Sequence, residues 1–257
     1  MSEQAKEKTA RRLFMLSLIQ SFSSSLSMQA SNQIWLDHFN GDFAAHARVM
    51  TRVSMFSSIF GFFVKPLIAS ATDRFGRKPL LFLSPAMQFV LKLGMCLAPS
   101  HRLVVFQMAQ YLLGSVTYES AHIATDAAYG DMYADQPEKL SKVISRQMIT
   151  YSLSSLICPI IGGWLAQRHL RLPFVVTAAL YAVNGLLFVP QVPETIPDSK
   201  RTSRLSIAGA SPLSAVKLFT RGARLRKVAL LQIVHSFGSN NCESAMVCPS
   251  HLTTRPV

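Results

Sequence analysis

The chain has 257 residues, of which 49% are hydrophobic and 15% charged, and its 26 Lys and Arg against 13 Asp and Glu give a net charge of +13. Ordinary soluble domains carry about 25% charged residues, so this composition argues against a soluble domain. A disordered chain requires low hydrophobicity, so it argues against disorder as well. Four cysteines without metal-ligand spacing argue against a small disulfide scaffold and against a zinc site.

Six stretches of about 20 residues carry few or no charged side chains. In chain order they cover residues 13–36, 49–71, 79–97, 103–128, 147–165 and 172–192. An α-helix needs about 20 residues to cross ~30 Å of hydrocarbon, whereas a soluble helix of that length shows a charged face every three or four residues. The pattern therefore predicts an all-α membrane protein with six transmembrane helices.

The basic residues of the connectors test this prediction independently. The N-terminal tail and the connectors after the second, fourth and sixth spans hold 18 Lys and Arg, whereas the connectors after the first, third and fifth hold four. Cytoplasmic loops carry the excess of Lys and Arg, so we predict a multi-pass protein with a cytoplasmic N-terminus. The same asymmetry explains the net charge without nucleic acid. We expect the lipid bilayer as a partner and no nucleic acid.

A short charged connector at residues 69–78 joins the second and third spans. Gly76 permits a reversal of the backbone, and Asp73 is an acid at a place where an unpaired acid is costly. The connector resembles a loop of the major facilitator superfamily, which reads G-x-L-A-D-R-x-G-R-R/K at this position. The matching residues, which the resemblance assigns to a conformational motif, are Asp73, Arg74, Gly76, Arg77 and Lys78.

The fifth span contains a second element, Cys-Pro-Ile-Ile-Gly-Gly at residues 158–163. It resembles the G-P-x-x-G-G element of the superfamily's proton-driven antiporters, with Cys158 in place of the first glycine. Pro159 removes a helix hydrogen bond, and Gly162 and Gly163 let another helix approach closely. The element implies antiport, and the alternative is a Pro/Gly kink without any bearing on coupling.

The resemblance implies the N-terminal half of this superfamily, built as two inverted three-helix repeats. An Arg-x-x-Arg-x-Pro string occurs at residues 74–79 and again at 168–173, at equivalent places in the two triplets. Members usually have twelve helices, so a C-terminal half or a second copy is an expected partner. The predicted parts are a cytoplasmic tail at 1–12, a six-helix domain at 13–192, a cytoplasmic linker at 193–224, and a truncated seventh helix with an irregular tail at 225–257.

Polar side chains of the first span lie on one stripe. Ser17, Ser21, Ser24, Met28 and Ser31 are spaced 4, 3, 4 and 3 residues apart, which places them on one helical face. The stripe faces either a water-filled cavity or a neighbouring helix that packs against small residues. Asn32 favours the cavity because amides are poorly tolerated against lipid. Ser24, Ser31 and Asn32 are therefore candidate cavity residues.

Three ionisable residues share one face of the fourth span. Glu119, His122 and Asp126 follow Ser115 at spacings of 4, 3 and 4. A carboxylate inside the membrane is costly unless it is paired or protonated, and His titrates near neutrality. We predict a proton-coupling relay through Glu119 and His122, with Asp126 as a third candidate. The alternative places His122 in the core and Asp126 at the cytoplasmic interface, paired with Arg77 as in the family.

Three further polar residues lie inside the spans. Lys65 is near the cytoplasmic loop, so we expect it to snorkel and assign it no role. Lys92 either snorkels or contacts the solute. Gln110 stands where an R-x-x-x-G element of the family has an Arg that is tied to coupling, and it is a fourth cavity candidate.

We expect a transporter and not an enzyme, because the chain has no nucleophile–base constellation and no P-loop. The sequence predicts a secondary active transporter that moves a small organic solute by alternating access, coupled to protons in antiport. We expect no cofactor and no metal. The alternative is a truncated six-helix fragment that transports nothing without a second half or a partner.

Overall fold

The computed structural model describes residues 3–195 and, beyond them, residues 222, 226, 227, 230 and 231. The chain divides into two compact units, Met1–Ile207 and Ala208–Val257. In the second unit the amide of Arg226 donates to the carbonyl oxygen of Gly222 at 3.1 Å, which is a helical bond. The predicted linker from residue 196 onward and most of the predicted seventh helix and tail lie outside the described residues.

The first unit is helical, with no strand in its described part. Its α-helices are α1 (Glu3–Leu26), α2 (Met28–His38), α3 (Phe43–Phe75), α4 (Arg77–Leu97), α5 (Leu103–Ala109), α6 (Ser115–Tyr133), α7 (Pro137–Arg168) and α8 (Leu172–Val183). Turns of π-helix lie at Gln110–Gly114 and Asn184–Phe188. Short 3₁₀ turns lie at Ser100–Arg102 and Val189–Gln191.

Four helical stretches are long and apolar enough to cross a bilayer. They are Phe43–Phe75, Arg77–Leu97, Pro137–Arg168 and Leu172–Gln191, which coincide with the predicted second, third, fifth and sixth spans. The predicted first and fourth windows fall on interrupted helices. One interruption is at Ser27, between α1 and α2, and the other is the π-helical turn before α6. The apolar composition continues through both interruptions, so the sequence pattern does not register them.

The helices pack so that α4 lies centrally. It packs against both α6 and α8, whereas α1 packs along α7 and α8, and α3 packs on α6. Buried apolar side chains form one cluster around the start of α4, with Leu13, Leu81 and Tyr129 among its members. A second cluster surrounds the end of α4 and includes Met95 and Phe174.

A layer of buried polar side chains separates the two apolar clusters. Gln20 of α1 donates to the hydroxyl of Ser84 of α4 at 3.2 Å. Buried Asn184 donates to the backbone carbonyl of Leu16 at 3.3 Å. Such interhelical hydrogen bonds hold helices together where the surrounding lipid supplies no hydrophobic driving force.

Two helices leave large apolar surfaces uncovered. Within its 33 residues, α3 buries only Gly61 and Thr72, and its Phe56 is 63% exposed. Helix α7 buries a narrow stripe that includes Ser154, Cys158 and Gly162. In water each exposed Å² of such surface would cost about 25 cal/mol, so these faces belong against lipid or further helices.

Candidate functional site

A buried arginine organises the connector between α3 and α4. The side chain of Arg77 is 8% exposed. Its guanidinium donates to the Thr72 hydroxyl at 2.9 Å, to the Asp73 carboxylate at 3.1 Å and to the Asp131 carboxylate at 3.0 Å. The two carboxylates neutralise a charge that is excluded from water, and they tie α3, α4 and α6 together.

The acid that Arg77 reaches on α6 differs from the predicted one. The predicted pairing of Arg77 with Asp126 is wrong, because Asp131 takes that place. Helix α6 continues to Tyr133, beyond the predicted end of the span at residue 128. Asp131 therefore lies about 7.5 Å further along the helix than Asp126, at 1.5 Å per residue, and is the acid at the helix end.

A second carboxylate caps the start of α4. Gly76, with φ +92°, ends α3 and precedes α4, and it has no side chain to cap the new helix. Glu194 supplies the cap from the other end of the described chain, since its carboxylate accepts the backbone N–H of Arg77 at 2.9 Å and of Lys78 at 3.1 Å. An anion at a helix N-terminus satisfies free N–H groups and complements the helix dipole. In the sequence analysis Glu194 was only part of the predicted linker at residues 193–224, and no capping role was predicted for it.

The Arg77 network consists of Arg77, Thr72, Asp73 and Asp131. The side chains of the other two basic residues of the connector, Lys78 and Arg74, lie outside it. The ammonium group of Lys78 donates to the backbone carbonyl of Pro190 at 3.1 Å, which adds a contact with the end of the sixth predicted span. Arg74 lies over the ring of Phe75, with its guanidinium carbon 5.1 Å from the ring centroid. The structure therefore brings together four of the five predicted motif residues and leaves Arg74 aside.

Arg171 holds the opposite end of α4. Its guanidinium donates to the carbonyl oxygens of Cys96 at 3.1 Å and Ala98 at 2.9 Å. A cation at a helix C-terminus satisfies carbonyl groups that have no partner within the helix. Arg77 and Arg171 occupy equivalent positions in the two Arg-x-x-Arg-x-Pro strings, and both lie where one helix ends against another.

An ion pair joins α3 and α6 within their apolar stretches. The ammonium nitrogen of Lys65 lies 3.3 Å from a carboxylate oxygen of Glu119, and the two side chains are 47% and 44% exposed. The expectation that Lys65 snorkels without a role is wrong, since its charge is directed to Glu119. Each charge lowers the cost of placing the other in the membrane.

The Lys65–Glu119 pair lies in a cavity of about 230 Å³ between α3 and α6. The lining residues are Ser54, Ser57, Ser58, Gly61, Lys65, Tyr111, Val116 and Glu119. Ser54, Ser58, Gly61 and Lys65 are spaced 4, 3 and 4 residues apart, the same periodicity that drew attention to the fourth span. This signal was present in the sequence of the second span, but it is masked there by the many phenylalanines between the serines.

The three predicted coupling residues are not joined to one another. No hydrogen bond connects Glu119, His122 and Asp126 within the described residues. His122 packs against Tyr118, with ring centroids 4.6 Å apart, and its buried Nε2 has no partner there. Asp126 is exposed. Of the three, the structure brings only Glu119 into the cavity.

None of the predicted cavity residues lines this cavity. Ser31 is buried, Ser24 and Asn32 are half-buried, and Met28 of the same stripe is 47% exposed. Gln110 donates to the side-chain oxygen of Gln88 at 2.7 Å, and Gln88 donates to the carbonyl of Gly114 at 2.8 Å. Gln88 thus bonds to a carbonyl of the π-helical turn, and π-helical turns within α-helices are frequent at functional sites.

Lys92 is a second membrane-embedded cation with a different environment. Its side chain is buried, with 4% exposure, and its ammonium group donates to the Ser27 hydroxyl at 2.9 Å, at the interruption between α1 and α2. The nitrogen also lies 5.5 Å from the ring centroid of Phe174. Lys92 therefore neither snorkels nor reaches the cavity, and it holds the interrupted first helix against α4.

Comparison with known proteins identifies the family. The sequence profile of the Major Facilitator Superfamily matches residues 13–247. The chain belongs to the major facilitator superfamily. It is 25% identical, over 151 residues, to mouse major facilitator superfamily domain-containing protein 10. Its fold matches the crystal structure of the human organic anion transporter MFSD10 (TETRAN), with a TM-score of 0.68 and 16% identity.

The chain is much shorter than these members of the superfamily. The alignment with the mouse protein covers 58% of this chain and 31% of that protein. The structural match covers 85% of this chain and 55% of the human one. The likeness to the human structure concerns the fold, and the multi-pass membrane architecture follows from the superfamily and from the four apolar helices.

The superfamily element of the fifth span has an asymmetric environment. A Cβ added to Gly162 would collide with the backbone carbonyl of Leu26 at the end of α1, whereas a Cβ on Gly163 would meet nothing within 4 Å. Helix α7 runs without a break through Pro159. Close helix approach, predicted for both glycines, occurs at Gly162, and among the described residues Gly163 faces open space.

Proposed function

We propose that this chain is a secondary active transporter with the fold of the superfamily's N-terminal half, and that it moves a small organic solute by alternating access. Members of the superfamily are transporters, and the proposal assigns no chemical reaction to the chain. The proposed arrangement is the predicted one, with six spans in two inverted three-helix repeats and the N-terminus in the cytoplasm. In this orientation the Arg77 network lies at the cytoplasmic face and Arg171 at the opposite face.

The observation that carries the proposal is the Lys65–Glu119 pair in its cavity. Ionisable residues within membrane spans are rare, and they mark solute and ion pathways. Both side chains are half exposed, so the described helices do not enclose the pair.

Proton coupling through Glu119 is the finer part of the proposal. Glu119 lines the cavity, and His122 and Asp126 follow it on the same helix face. Antiport stays a prediction from the fifth-span element, and the proposal requires only that the flux depend on a proton gradient. The human protein of matching fold is an organic anion transporter, so an organic anion is the first solute class to test.

A second candidate function follows from the uncovered faces of α3 and α7. The uncovered faces of α3 and α7 and the 55% coverage of the human structure favour a partner that supplies the other side of the solute path. In this alternative the chain transports nothing alone and acts with a C-terminal half or a second copy.

Uptake into proteoliposomes tests both candidates. The full chain is reconstituted, a pH gradient is imposed, and entry of radiolabelled benzoate is measured for the wild type and for Glu119→Gln. The proposal expects a flux that depends on the gradient in the wild type and loses that dependence in the variant. A flux of equal gradient dependence in both proteins contradicts the role of Glu119. No flux until a second half is added supports the alternative.

A further inference from the structure

The predicted spans contain three cations, and they differ in what can reach them. Lys92 is buried and bonded to Ser27, so a solute has no access to it. Arg52 is exposed on α3 but does not line the cavity between α3 and α6. Lys65 is both half exposed and part of the cavity wall. Among these cations, Lys65 alone presents a positive charge to the cavity.

The cavity around Lys65 carries the other groups that a small anion needs. Ser54 and Ser58 of α3 line it and have hydroxyls that are able to donate hydrogen bonds to carboxylate oxygens, whereas the Ser57 hydroxyl already donates to the carbonyl of Tyr111 at 3.2 Å. Its volume of about 230 Å³ is below the ~300–1,000 Å³ of typical ligand pockets, which favours a small solute within this chain. Glu119 already shows that a carboxylate fits beside the ammonium group, at 3.3 Å.

We propose that Lys65 is the residue that selects an anionic solute, and that Glu119 is the internal carboxylate which the solute's carboxylate replaces. The inference rests on the proposed function, because it takes the cavity as the solute path. An opposite charge beside a membrane-embedded ammonium group lowers the cost of placing that group in the membrane. Glu119 supplies that charge when the cavity is empty, and the bound anion supplies it when the cavity is occupied.

Protonation of Glu119 helps the anion to bind. The titratable groups near Glu119 are Lys65 and Tyr111 in the cavity wall and, on its own helix, Tyr118, His122 and Asp126. When a proton binds to Glu119, its attraction for Lys65 is lost and the ammonium group is free for the solute. When the anion binds first, the displaced Glu119 lies near a second negative charge and takes up a proton more readily. Proton and anion therefore bind together, and their expected coupling is cotransport.

Binding measurements on the full chain in nanodiscs test the inference separately from transport. The probes are radiolabelled benzoate and its neutral analogue benzamide. The wild type is expected to prefer benzoate. Lys65→Met is expected to lose about tenfold or more of its benzoate affinity, the loss typical of removing a charged hydrogen-bond partner, with benzamide unaffected. Lys65→Arg keeps the preference.

Two further variants complete the test. Glu119→Gln is expected to bind benzoate several-fold more tightly and with less dependence on pH, since the internal competitor is gone. Arg52→Gln removes an exposed cation from the same helix outside the cavity and serves as the matched control, with unchanged benzoate affinity. Gel filtration of each variant shows whether it is folded. If Lys65→Met aggregates, Lys65→Arg still tests the role of the positive charge.

The outcomes separate this inference from the proposed function. The inference is overturned if the wild type does not prefer benzoate over benzamide. It is also overturned if a folded Lys65→Met keeps the wild-type affinity for benzoate, or if a folded Lys65→Arg loses the preference for benzoate. Benzoate preference that depends on Lys65, together with the absence of any gradient-driven flux, supports the inference and contradicts the proposed function for the chain alone. A proton-driven exchange of benzoate, in place of cotransport, contradicts the inference and leaves the proposed function standing.

Discussion

Removal of the Glu194 carboxylate tests how the connector between α3 and α4 is held. In Glu194→Ala the first two backbone N–H groups of α4 lose their acceptors at 2.9 and 3.1 Å. A lost N-cap costs about 1 kcal/mol and a lost charge at the helix N-terminus about 0.3–1 kcal/mol, which together give about 2 kcal/mol. For a chain of this size we expect the midpoint of thermal unfolding to fall by about 4–8 °C.

The assay is the fraction of monodisperse protein after heating in detergent, measured by gel filtration. Glu194→Gln keeps one acceptor oxygen and loses the charge, so its midpoint is expected between those of Glu194→Ala and the wild type. Glu7→Ala is the control, because Glu7 forms an exposed pair with Arg11 that contributes little. A midpoint for Glu194→Ala within 1 °C, about the scatter of the control, would refute the capping argument.

Three other substitutions have expected outcomes in the same thermal assay. Gly162→Ala is expected to destabilise the protein by about 1–3 kcal/mol, because the added Cβ collides with the backbone of Leu26. Gly163→Ala lies in open space and is expected to stabilise the protein by up to about 1 kcal/mol through its higher helix propensity. Equal effects of the two substitutions would contradict the packing. Asp131→Asn is expected to lower the midpoint because buried Arg77 loses a partner, and Asp126→Asn leaves it unchanged; the reverse order would restore the pairing predicted from sequence. Arg171→Met removes two bonds to the end of α4 and is expected to cost about 1–2 kcal/mol, a loss that an unchanged midpoint would disprove.

The elements of the fold that sequence predicted best are those that depend on the exclusion of charge from lipid. The length of the stretches with few or no charged residues was enough to locate the second, third, fifth and sixth spans, because the surface of a soluble helix would carry more charges. The interruptions at Ser27 and at the π-helical turn escaped prediction. Each involves side chains distant in sequence: Lys92 bonds to Ser27, and Gln88 bonds to the carbonyl of Gly114.

The candidate site was predictable helix by helix but not across helices. Periodicity placed Glu119 on a polar face of the fourth span, yet it carries no information on which neighbouring helix that face meets. Lys65 was therefore assigned to the membrane interface, although the structure pairs it with Glu119. The partner of Arg77 was missed for a related reason, since the choice between Asp126 and Asp131 depends on where α6 ends.

The central claim is that the charged cavity between α3 and α6, which lies within the predicted spans, is accessible to water. Thiol accessibility tests it most directly, with a membrane-impermeant methanethiosulfonate reagent applied to the reconstituted chain. Ser58→Cys, in the cavity wall, is expected to react and to be protected by benzoate. Phe56→Cys, about 200° around the same helix and 63% exposed toward the outside of the bundle, is expected not to react. Equal labelling of both positions, or labelling of Phe56→Cys alone, would contradict the account.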